Sequence, residues 1–219
     1  MSFAGLFTGV NGFSYCMEML GACFLFYVYL KKRKLFWLRL LAAIICLFCC
    51  ARWIYPFFPE GNLWGSSIWY ALIYLVMIAV SQFCCDLSVE DAVYCASCGY
   101  LVQHLASSLY IMLAFRGSIP SWSGLLYYAS IILTYAFVLL TIARLLPEGG
   151  KFEVSRLTAI VTAIVALSIT LVLSTYIKMT APLTGEAAST KDYIQLLKGS
   201  QIYASAIFLV FLILQMVQR

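Results

Sequence analysis

Residues 13–34 read FSYCMEMLGACFLFYVYLKKRK, an apolar run from Phe13 to Leu30 that meets four consecutive basic residues, Lys31-Lys32-Arg33-Lys34. As a helix the run rises about 27 Å at 1.5 Å per residue, close to the ~30 Å of hydrocarbon in a bilayer. The order of the two parts sets the direction. A signal peptide carries its positive charge ahead of the apolar core, and Met1 to Gly12 holds no Lys or Arg. The reading is therefore a retained helix, N-terminus outside and basic end in the cytoplasm. Four adjacent cations also suit nucleic acid. Placed directly behind an apolar segment they suit anionic lipid headgroups better, and no nucleic-acid partner is expected.

The rest of the chain repeats the pattern. Hydrophobic residues make up 64% and charged residues 11%, with a mean hydropathy of +0.96. Soluble domains carry about a quarter charged residues, and a chain of this size cannot hide so much apolar surface in one core. Lipid is the expected solvent. The nine cysteines all lie in or beside apolar segments, as small apolar side chains rather than a secreted disulfide framework.

The expected fold is all-α, a polytopic membrane protein of about seven transmembrane helices with its C-terminus cytoplasmic. The spans fall at about 13–30, 35–55, 67–83, 92–115, 122–143, 157–177 and 200–217, in one transmembrane domain over 1–219. Pro56 and Pro59-Glu60-Gly61-Asn62 supply an outer turn, Cys84 to Asp91 an inner connection, and Arg116 to Pro120 an outer one. The inner loop Arg144 to Arg156 turns at Gly149-Gly150. Inner positions hold Lys31, Lys32, Arg33, Lys34, Arg39, Arg144, Lys151, Arg156 and Arg219, against outer Arg52, Arg116, Lys178, Lys191 and Lys198, a bias in the stated sense. Trp53, Tyr55, Trp64 and Trp69 gather near one end, as interfacial aromatics do. In the outer loop Lys178 to Gly199, Ser189 to Lys198 reads as a separate short helix, capped by Ser189 with Asp192 three residues on and lying in the headgroup layer.

Candidate functional residues are the polar ones at membrane depth, where such side chains are costly and turn to the bundle interior or to water. His104, the only histidine, follows Gln103 near the middle of the fourth span; Ser97, Tyr100, His104 and Ser107 or Ser108 recur at helical spacing as one inward stripe. It suits ligand binding or signal relay, or interhelical hydrogen bonds alone. Glu18 in the first span and Arg52 near the outer end of the second differ in depth by under ~10 Å, so a structural ion pair between them is expected, with a site for a charged ligand or signal relay as the alternative. Cys95-Ala-Ser-Cys98 has CxxC spacing, but inside a helix without the turn that zinc or redox pairs use. No metal or cofactor is expected. Nor is an enzyme: Gly-x-Ser-x-Gly, HExxH, Walker and dinucleotide motifs are missing.

Residues 83–106, FCCDLSVEDAVYCASCGYLVQHLA, resemble the membrane sensor region of GHKL-type sensor histidine kinases, relatives of the accessory-gene-regulator peptide-pheromone receptors. The resemblance implies six or seven helices, a short acidic inner loop, a Gln-His pair on an alanine-rich helix, a homodimer, and a bacterial plasma membrane. It also implies a cytoplasmic kinase domain, in cis or in trans. That domain's phosphoacceptor histidine would follow the last span, whereas this chain reaches Arg219 two residues after Val217 and His104 lies at membrane depth. As given, the chain is expected to have no kinase activity. The function expected is detection of an extracellular ligand such as a peptide, relayed through the last helix. The alternative is a small-molecule transporter or its substrate-binding subunit; no internal repeat favours it.

Overall fold

A computed structural model describes residues 11–58, 63–116, 123–142, 154–172, 175–176 and 188–217. These are all-helical, without a strand: α1 Asn11–Tyr27, α2 Phe36–Trp53, α3 Leu63–Cys84, α4 Val89–Arg116, α5 Ser123–Phe137, α6 Arg156–Leu167 and α7 Ala188–Val217. α5 runs on into a π-helical turn at Val138–Ile142, and α6 into another at Ser168–Val172. Two helical stretches are long and apolar enough to cross a membrane, Phe36–Phe57 and Ser67–Cys84. Shorter apolar helices occupy Gly124–Leu140, Arg156–Val172 and Gly199–Leu214.

α4 is the axis. It packs against α1, α3, α5, α6 and α7, and the reason is written in its small residues. Ala92, Cys95, Ala96, Cys98 and Gly99, all buried, let neighbouring backbones come close. A Cβ added at Gly99 would lie 2.5 Å from Cys23 Sγ and 3.1 Å from Cys23 N, so α1 crosses α4 in near backbone contact. A helix walled by five others need not be apolar enough to face lipid, which is why α4 can carry Gln103 and His104. The outer helices are the reverse. Leu38, Leu41 and Ile45 of α2, Ile132 and Leu133 of α5, and Ile207 and Phe211 of α7 are exposed. Soluble monomers rarely expose apolar faces of that extent.

The basic cluster also makes contacts within the bundle. Residues 31–33 pair antiparallel with 84–86 around the bridge Lys32–Cys85. Arg33 N–H donates to Cys84 O (3.1 Å), Asp86 N–H to Lys31 O (2.8 Å), and Lys31 Nζ meets Asp86 Oδ2 at 3.3 Å. Arg33 Nε donates to Cys85 O (3.0 Å) and Arg39 Nη1 to Phe83 O (2.9 Å), so two guanidinium groups satisfy carbonyls at the negative end of α3. Burial pushes the Cys85 thiol up to about 12, with Cys84 adding and Lys32 and Arg33 only partly opposing. It is an inert thiol at neutral pH. Leu35, exposed and at φ 61°, turns the chain into α2 in a left-handed conformation that costs a side-chain-bearing residue about 1 kcal/mol.

Ser88 caps α4 by accepting from Asp91 N–H (3.1 Å). Asp91 is 3% exposed, and its Oδ1 accepts from Val154 N–H (3.0 Å), just ahead of the Ser155 cap of α6. One carboxylate thus ties the starts of two helices. Replacing Asp91 with alanine leaves that N–H without its acceptor and removes a favourable charge from the first turn of α4. A loss of about 2 kcal/mol is expected, read as a lower thermal midpoint in detergent.

Several expected features fall elsewhere. The first helix ends at Tyr27, three residues short, because the chain turns there to make the bridge; α3 and α4 begin earlier than expected, at Leu63 and Val89. Ser189–Lys198 is not a separate helix: α7 runs unbroken from Ala188 through Gly199 to Val217. A helical glycine costs only about 1 kcal/mol, and no proline stops the helix. Trp69 is not an interfacial anchor but 1% exposed, edge-on to Tyr55 at 5.1 Å. The Pro59 to Asn62 and Gly149-Gly150 turns, and the Trp64 and Ser189 side chains, lie outside the described residues.

Candidate functional site

α1, α4 and α5 converge on Glu18. Its Oε2 accepts from Gln103 Nε2 (3.1 Å) and its Oε1 from Ser14 Oγ (3.1 Å), one turn toward the start of α1. Tyr127 of α5 lies beside the same carboxylate. Tyr135, two turns further along α5, donates its hydroxyl to the Glu18 backbone carbonyl. Gln103 is 5% exposed, so its amide is fixed on the α4 side. Tyr110, two turns beyond Gln103, sets its ring edge-on to Tyr127, centroids 5.0 Å apart and planes at 80°. Ser130 Oγ reaches the Ala106 carbonyl (3.4 Å) and holds α5 to α4 between these contacts.

The expected stripe on α4 divides by neighbour. Ser97 Oγ bonds Tyr74 OH of α3 at 2.8 Å. Tyr100 stacks at a tilt on Tyr74, centroids 5.5 Å apart, and meets the hydroxyls of Tyr15 on α1 and Thr170 beside α6. Gln103 faces Glu18. Among the described residues the His104 ring meets Ser108 Oγ on its own helix, at 3.4 Å, beyond the reach of about 2.6–3.2 Å that a general base uses. An α-helix advances about 100° per residue, so a stripe four residues apart drifts around an axis that has a partner on every side.

The ion pair expected between Glu18 and Arg52 does not form. Arg52 is exposed, and the ion pair among the described residues is Lys31–Asp86. Glu18 instead meets the neutral amide of Gln103 on α4. Of the expected site residues, Glu18 and Gln103 come together, Ser97 and Tyr100 line adjoining contacts, and His104 and Arg52 stand apart. Tyr127, Tyr135 and Tyr110 were not anticipated. The only signal for them was tyrosine at positions 127 and 135, eight residues apart on one face of α5.

A second set of contacts links α4 to α7. Tyr94 OH donates to the Leu212 carbonyl. In the π turn after α6, Thr170 Oγ1 donates to Ala166 O (2.7 Å) and the Ile169 carbonyl accepts from Gln201 Nε2 of α7 (3.0 Å). Widened turns of this kind release a carbonyl from the ordinary ladder and concentrate at functional positions. Thr170 also meets Tyr100, so the same turn touches both α4 and α7.

The fold and site define a helical bundle with a polar three-helix junction on a buried axis. No protein-family model, curated protein or solved structure matches this chain.

Proposed function

We propose that the chain is a multi-pass membrane domain of seven spans that senses an extracellular ligand and relays it to the cytoplasm through α7. The segment before α1 faces out and the basic cluster faces in. Exposed apolar faces on α2, α5, α6 and α7 give lipid its surface, and the cations of residues 31–34 gather at one end. The observation that carries the sensing role is the path through α4. The helix holds the Glu18 junction by Gln103 and grips the last helix by Tyr94. A ligand that prefers one packing of α1, α4 and α5 therefore shifts α7 as well. The resemblance of residues 83–106 to GHKL-type sensor regions points the same way, and a cytoplasmic kinase partner and a homodimer belong to that reading.

The test fuses the chain, after Arg219, to the catalytic region of a sensor kinase in membrane vesicles exposed to size fractions of spent bacterial medium. Autophosphorylation should change with one fraction, and Tyr94→Phe, which keeps the ring and removes the bond to Leu212, should blunt that change several-fold at equal protein level. Flat kinase output together with solute uptake by proteoliposomes would replace the sensor with a transporter.

A further inference from the structure

We propose that the junction of α1, α4 and α5 is a recognition site for a primary ammonium group, held by the Glu18 carboxylate and the rings of Tyr127 and Tyr110. The inference rests on the sensing reading for what binding achieves, but not for the binding itself.

The groups against Glu18, the Ser14 hydroxyl, the Gln103 carboxamide and the Tyr127 phenol, are all neutral. A carboxylate offers about four acceptor positions, so these three contacts orient the group without balancing it. Among the described residues no cation pairs with it. Glu18 is half-buried, so a counter-charge beside it is screened less than one on an open surface.

The surroundings then select the kind of cation. Tyr127 and Tyr110 meet at 80° and form an aromatic corner, with Tyr128 edge-on to Tyr127 at 5.6 Å. Ring faces attract organic ammonium groups by their quadrupole. An ammonium brings three N–H donors, and the Glu18 carboxylate has acceptor positions left beyond those that Ser14 and Gln103 use. A bare divalent ion is served less well: it wants six or more oxygen ligands with several carboxylates among them, and no cluster of three His, Cys, Asp or Glu occurs among the described residues. Access exists on the side of Ser14, which is exposed. The ammonium is that of a peptide N-terminus or of a free amine; the chemistry at Glu18 is shared.

The experiment uses the full chain in phosphatidylcholine nanodiscs and follows tyrosine fluorescence and thermal midpoint. The probes are phenethylamine and phenylalanyl-glycine amide, each against its N-acetylated form, which keeps the shape and removes the charge. The expected result is that at least one amine binds at least ~10-fold more tightly than its acetylated form, the scale of a charge-assisted contact. Glu18→Gln should remove that difference, and Tyr127→Leu should weaken binding more than Tyr127→Phe, which keeps the ring. Binding by the dipeptide amide alone assigns the peptide source; binding by both amines assigns amines generally. Equal binding of acetylated probes, or binding unchanged in both Glu18→Gln and Tyr127→Leu, would overturn the site. The two readings separate cleanly. Glu18-dependent binding with no change in the fused kinase removes sensing and leaves the site, whereas a response to medium that survives Glu18→Gln removes the site and leaves sensing.

Discussion

Replacing Gly99 with leucine is expected to leave almost no folded protein. The Cβ alone would sit 2.5 Å from Cys23 Sγ, 3.1 Å from Cys23 N and 3.2 Å from Cys23 Cα, and two of those atoms are backbone that cannot rotate away. The remaining carbons of a leucine would have to enter the same space, so α1 must leave α4. Because α4 is the helix on which five others pack, displacing α1 also breaks the Glu18–Gln103 junction. Gly99→Ala is the graded version. Overpacking by one carbon in a tight interior costs about 1–3 kcal/mol, a large share of a typical stability of about 5–15 kcal/mol. Cys23→Ala in the Gly99→Ala background removes the 2.5 Å conflict but not the backbone contacts, so it should restore part of the loss. Monodisperse yield in detergent and the thermal midpoint measure all three. Equal midpoints for Gly99→Leu and the parent would mean that α1 and α4 do not cross there.

Helix number and order were legible because the apolar runs and their breaks are strong local signals: Pro56, the acidic turn before Val89 and the basic run at 31–34 each mark an end. The course of α7 was not legible. Gly199 and the polar run before it look like a boundary in sequence, yet the helix continues through it and nothing lies within 4 Å of a Cβ there, so the glycine admits no close neighbour. The site was half legible. A polar side chain in an apolar helix, Glu18 or Gln103, signals that it has a partner, but periodicity cannot say which, and pairing by charge favours Arg52 where the packing follows the α1–α4 crossing. Tyr127 and Tyr110 escaped because a tyrosine near a helix end reads equally as an interfacial anchor. Only the position of α5 against α4 separates the two roles.

Gln103→Glu should be the second most damaging single change, although it alters one atom's chemistry and almost no volume. In the parent chain Gln103 donates to Glu18 at 3.1 Å. A glutamate in its place sets two carboxylates at that separation, and the pair can persist only by sharing a proton. The folded variant then holds a proton that the unfolded chain releases above pH ~4.3, the ordinary glutamate value. Stability falls with rising pH wherever the folded state binds the extra proton, so the variant should approach the parent near pH 4 and lose ground steadily toward neutrality. Gln103→Leu gives the complementary case. It removes the donor without adding charge, and loss of a hydrogen bond to a carboxylate costs about 2 kcal/mol, with none of the variant's special dependence on pH. Glu18→Gln closes the cycle: with no charge at position 18, Gln103→Leu should cost less by about 1 kcal/mol and Gln103→Glu should regain most of its stability, since the carboxylate now faces an amide that can donate back. Thermal midpoints of the parent and these variants from pH 4 to 8 would decide it. A Gln103→Glu midpoint that tracks the parent across the whole range would mean that the two side chains do not meet, and the junction on which the ammonium site depends would go with them.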